Sequence, residues 1–225
     1  MATTKVVDVL DRASIILQDT SNVRFPNGEL LKFFNDSQRE VVLHRPDANT
    51  SNTTFTCAAG SKQTLDATHL RLIDVVRNVG GRAVTQIDRK ILDETLPNWH
   101  SATADSTKKV EHFVYDSGNP KNFYVYPNAT TSFTLEIVVS SAPSDISISN
   151  FSTDTTTITL DDIYANALLD YVLYRAYQKD SEYAGNAERS MMHYQSFANA
   201  LGIKTRADAA TDPRPNNPDR NAQRA

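Results

Sequence analysis

Residues 160–186 read LDDIYANALLDYVLYRAYQKDSEYAGN, and their first turns leave almost no polar face. Ile163, Tyr164, Ala167, Leu168, Leu169, Tyr171, Val172, Leu173, Tyr174, Ala176 and Tyr177 surround the axis of any helix they form. A surface helix carries one apolar stripe, whereas a helix apolar all round has to be enclosed all round. A bilayer is not that enclosure, because Asp170 and Arg175 interrupt a run that would need about 20 mostly uncharged residues. The segment therefore predicts a helix covered partly by its own chain and partly by another copy. Tyr164, Tyr171, Tyr174 and Tyr177 are the candidate subunit-interface residues, since tyrosine suits contacts with one dry and one wet end.

The chain has 225 residues, enough for one large domain or two small ones with a real core. A net charge of −4 excludes a global basic footprint for gripping nucleic acid or an anionic membrane. Cys57 is the only cysteine, which excludes an intrachain disulfide and a thiolate-rich metal site. Asp8 and Asp11 stand where a secretory signal would carry its apolar run, so synthesis in a cytosol is expected.

Along the chain, Val6, Leu10, Ala13 and Leu17 recur at helical spacing within residues 4–18. Asn27 is the expected N-cap of a second helix, which turns Leu30, Leu31, Phe34, Val41 and Val42 inward and stops by Arg45, before Pro46. Residues 50–160 are rich in Thr, Ser and Asn and hold short alternating segments. Strands are expected over 53–59, 70–79, 110–115, 123–126 and 133–139, with turns at Gly80-Gly81 and at Ser117–Pro120. A short helix is expected over 87–96. Helices return after Asp161, an N-cap candidate, and a last helix with Ala187, Met191, Tyr194, Ala198 and Leu201 is expected to close at Gly202. The predicted class is α+β, with an antiparallel α-helical bundle formed by both chain ends. In that reading 1–47 and 161–202 make the bundle, 48–160 an inserted β-rich lobe and 203–225 an extended C-terminal arm. The arm carries Lys204, Arg206, Arg214, Arg220 and Arg224 against three aspartates, and has too few apolar residues to fold alone.

Residues that carry chemistry are scattered. His44, His69, His100, His112 and His193 show no metal-ligand spacing. Asp161-Asp162 sits where a helix start favours acids, so capping is the expected role. No nucleophile elbow or phosphate-cradling glycine loop is present, and Cys57 has no neighbouring base to activate it. Trp99, beside Pro97-Asn98, is expected to anchor a loop rather than to stack a ligand. No catalytic, cofactor-binding or metal-binding residue is assigned.

Several stretches together resemble the head-to-tail adaptor (connector) proteins of short-tailed double-stranded DNA bacteriophages. They are FPNGELLKFFNDSQREVVLHRP at 25–46, LRLIDVVRNVG at 70–80, DRKILDETLPNWHS at 88–101, HFVYDSGNPKNFYVYP at 112–127 and DDIYANALLDYVLYRAYQKDSEYAGN at 161–186. The resemblance covers most of residues 1–202. It implies a non-enzymatic virion protein at the head-tail junction, built as a dodecameric ring under the portal. The helical part would form the ring wall, and the β lobe would meet a downstream tail or nozzle protein. Genomic DNA would pass through without specific binding. The C-terminal arm would dock on the portal protein, with Arg206, Arg214, Arg220 and Arg224 as its candidate binding residues. The competing reading is a tail-associated hydrolase of cell-wall glycan, which needs two carboxyls at a set separation. Asp105, Glu111 and Asp116 are the acids of the lobe that it would use. A carbohydrate-binding module would need more exposed aromatics than Trp99 and nearby tyrosines supply.

Overall fold

A computed structural model describes residues 2–101, 103–104, 108–180, 182–183 and 185–211. The chain is α+β and divides into two compact units, Met1–Arg45 with Pro143–Ala225, and Pro46–Ala142. The β unit thus ends at Ala142, and residues 143–160 group with the helices rather than with the lobe.

In the helical unit, α1 (Val6–Ile16) buries Val6, Val9, Leu10 and Ala13, the stripe its spacing predicts. The second helix, α2 (Asn27–His44), buries Leu30, Leu31, Phe34, Val41 and Val42. Asn27 does not cap it. Pro26 occupies the cap, its carbonyl accepting from the N–H groups of Glu29 (2.8 Å) and Leu30 (3.1 Å), and Asn27 is the first helical residue. The strap 143–160 is tied to α2 by polar side chains. Asn35 bonds both backbone groups of Ile146 (2.9 and 3.0 Å), and Gln38 Oε1 accepts from Thr159 N–H (2.9 Å).

The apolar helix begins as a single 3-10 turn over Asp162–Tyr164, continues as α4 (Ala165–Lys179) and ends short of residue 186. It packs against α1, α2 and α5 (Asn186–Thr211). Leu168, Val172 and Ala176 are fully enclosed, and each large aliphatic among them is stabilised by about 1.5–3 kcal/mol relative to exposure. The enclosure that the sequence demands is therefore real, but the chain's own helices supply it. Of the cover expected partly from its own chain and partly from another copy, the chain supplies most at Tyr164, Tyr171 and Tyr177, which retain only 4%, 7% and 8% of their surface.

The last helix also departs from expectation. It passes through Gly202 without stopping and reaches Thr211, so residues 203–211 of the expected extended arm are helical. Gly202 has no Cβ contact within 4 Å and adopts no left-handed φ, so nothing there ends the helix.

Among its described residues the β unit holds seven strands: β1 (Thr50–Thr56), β2 (Gly60–Thr64), β3 (His69–Asn78), β4 (Thr85–Gln86), β5 (His112–Tyr115), β6 (Asn122–Ala129) and β7 (Thr134–Ser141). A short helix, α3 (Arg89–Thr95), follows β4. One sheet has the order β1-β7-β3, all antiparallel. The other has the order β2-β6-β5-β4, with only β4 parallel to its neighbour. Leu72, Val75, Leu135, Ile137 and Val139 of the first sheet join Phe113, Phe123 and Val125 of the second in one core. Between β3 and β4 the chain turns at Gly80, whose φ of +69° favours a residue without Cβ. Asn78 locks that turn from within, bonding Arg82 carbonyl (3.1 Å), Val110 carbonyl (2.7 Å) and Val110 N–H (3.1 Å).

Candidate functional site

Two features could hold chemistry, a set of polar side chains and a cleft at the edge of the second sheet. The histidines are separated from one another, each against a different neighbour. His69 Nδ1 meets Ser141 Oγ at 3.0 Å, His112 Nδ1 meets Thr85 Oγ1 at 2.7 Å, and His44 lies 3.3 Å from Glu40. His193 is held by Asp170 at 2.9 Å and stacks on Tyr177. His100 meets Ser61 Oγ at 2.9 Å and stacks on Trp99. Among the described residues, no group of three or more His, Cys, Asp or Glu side chains is placed to hold a metal ion.

Trp99 is an anchor, as its place beside Pro97-Asn98 predicts. It is 2% exposed, packs with Leu92 and Val114, and donates its Nε1–H to Asp93 Oδ1 at 2.9 Å. That bond, more than the nearby Arg89, holds the Asp93 carboxyl below the usual range. Cys57 is buried in the lobe core, and desolvation pushes its thiol up to about 12, the opposite of an activated nucleophile.

The acid pair at the start of the apolar helix works as structure. Asp161 caps, accepting from Ile163 N–H at 3.1 Å. Asp162 reaches instead to the chain's N-terminal segment, accepting from Thr3 N–H (2.9 Å), Thr4 N–H (2.8 Å) and Thr3 Oγ1–H (2.8 Å). The Thr4 N–H is the largest of several donors that hold its carboxyl far below the usual range. Beside this clamp, Thr4 and Val6 pair with Ile158 and Thr156 through backbone bonds of 3.0 Å.

Of the acids the hydrolase reading would use, Glu111 is paired with Arg82 at 3.0 Å. Asp116 closes its own turn, accepting from Gly118 N–H at 2.9 Å. Asp105 lies outside the described residues. Asp116 does line a polar cleft of about 620 Å³, together with Gln86–Arg89, Val114, Tyr115, Ser117, Asn119, Asn122 and Tyr124. No sequence motif marks this cleft. The signal for it is topological, the two-residue length of β4.

Among the tyrosines singled out, Tyr174 keeps the most surface, and its ring meets Tyr171 and Tyr194. Ile163, beside the buried Tyr164, is 64% exposed. Of the arm's arginines, Arg206 is exposed on the last turns of α5, while Arg214, Arg220 and Arg224 lie outside the described residues. No described helix is long and apolar enough to cross a membrane.

Trp99, Asp161, Asp162, Cys57 and the histidines are accounted for by packing, caps and local hydrogen bonds. The sequence profile of the SU10 adaptor protein family matches residues 4–219, and the chain belongs to that family. No curated protein matches it.

Proposed function

We propose that this chain is a head-to-tail adaptor that forms a ring, dodecameric as the resemblance implies, between the portal and the tail, and that the genome passes through it. The observation that carries the reading is the family match across nearly the whole chain, both compact units included. A net charge of −4 per subunit supports passage without capture, because a wall rich in Lys and Arg would grip phosphates and slow transit.

The C-terminal segment is the proposed portal-docking element, entered through the helical stretch that carries Arg206 and continued by Arg214, Arg220 and Arg224. Arginine forks pair with carboxylates in two-bond geometry, which suits a charged arm meeting a protein surface. Neighbouring subunits would meet through side chains that the single chain leaves bare. Ile163, Ile15 and Leu43 are exposed, and Tyr174 is the one tyrosine of the four with surface to contribute. A heterologous contact between such patches closes into a ring when its rotation permits.

The reading is tested by removing residues 205–225 and measuring attachment to purified portal. The truncated protein is expected to keep its fold and its thermal transition while losing most of its portal binding. Full portal binding by the truncated chain would overturn the arm assignment.

A further inference from the structure

The second sheet ends on one side in β4, which is only two residues long. Thr85 N–H donates to Glu111 carbonyl and Ile87 N–H to Phe113 carbonyl, both at 3.0 Å. Those two bonds turn the carbonyls of Glu111 and Phe113 toward β4, while the Glu111 N–H points the other way and donates to Tyr126 carbonyl on β6 at 2.9 Å; within β5 it is Phe113 that pairs with β4 through Gln86. Tyr115 is the next residue of that series, and β4 has ended by then. The chain leaves the sheet at Asp88 and enters α3. Among the described residues, no backbone group pairs with Tyr115 on that side. The polar cleft lies there, floored by Val114 and Tyr115.

An open strand edge in a cleft is a template for one more strand, since its N–H and C=O groups gain partners from any extended chain laid beside them. The charges on the rim select the chain. Asp88 and Asp116 are both exposed and line the cleft, and among the described residues each carboxylate accepts from its own turn alone, from Lys90 N–H (2.8 Å) and Gly118 N–H (2.9 Å). Neither meets a cation among the described residues, whereas Arg89 is already paired with Asp93 at 3.2 Å.

We propose that this cleft is a docking site for an extended, lysine- or arginine-bearing segment of a partner protein, which adds beside Tyr115 in line with β4 and sets its cations against Asp88 and Asp116. The inference goes beyond the adaptor reading and does not depend on it.

The test uses the full chain and two blocked hexapeptides, one alternating valine with lysine and one alternating valine with glutamate. Binding is read by amide NMR shifts and hydrogen exchange. The lysine peptide is expected to shift Val114 and Tyr115 and to slow exchange of the Tyr115 amide. The glutamate peptide is expected to bind about tenfold more weakly, as two exposed charge pairs allow. An Asp88→Asn/Asp116→Asn variant should lose the preference between them while keeping its fold. Equal binding of both peptides, shifts confined to another surface, or a Tyr115 amide already protected in the protein alone would each overturn the proposal. So would protection that appears only as protein concentration rises, which would make the occupant a second copy.

Discussion

Asp162 shows how much of this chain rests on single side chains that look unremarkable in sequence. Its carboxylate gathers the N–H groups of Thr3 and Thr4 and so fixes the start of the chain beside the entry to α4. Because those donors lower its folded-state pKa, its contribution is complete above the unfolded value of about 3.9 and fades as pH falls towards the folded value. An Asp162→Asn variant should therefore melt below the native protein near neutral pH, with the gap narrowing as the medium is acidified through about pH 3. A gap of constant size across that range would show that the carboxylate's charge is not what matters. At Cys57 the prediction is kinetic. A thiol pushed up to about 12 has almost no thiolate at pH 8, so alkylation by iodoacetamide should run at least about a hundredfold slower in the folded protein than in urea. Comparable rates in the two states would mean that the lobe core opens readily around it.

At the scale of elements, periodicity made the helices legible and left their neighbours unnamed. The stripes of α1 and α2 predict which residues go inside, and the β7 alternation of Leu135, Ile137 and Val139 predicts a core face. The same reasoning says that α4 must be enclosed, but a pattern of apolar residues cannot state whose side chains do the enclosing. Replacing Leu168, fully buried, by alanine should cost about 2–5 kcal/mol in urea denaturation. Since the chain encloses α4 by itself, that loss should not vary with protein concentration; a loss that grew on dilution would restore the second copy. β2 was illegible for a different reason. Its inward positions are Ser61 and Gln63, and Gln63 is buried by bonding Ala58 and Gly60 rather than by being apolar. Asn78 is likewise a polar residue in a core position. Asn78→Ala should destabilise the lobe by about 2–4 kcal/mol, because three bonded backbone groups lose their partner. A change below about 0.5 kcal/mol would mean that the turn finds other partners. Gly202 misled in the opposite direction, since a glycine within a helix costs only about 1 kcal/mol and α5 continues through it. The cleft beside Tyr115 could not be read at all, because it depends on which strand lies next to which.

For the whole molecule, the two compact units and the family match describe an adaptor whose work is done at its surfaces. The helical unit fills its own core with Leu168, Val172 and Ala176, and the assembly proposed above would draw on exposed groups and on the C-terminal segment. The most direct test is a native mass measurement of the purified chain with and without its portal. The account predicts a closed complex carrying many copies of the chain on each portal, one symmetric set per ring. A chain that remains a single copy in the presence of portal would contradict it.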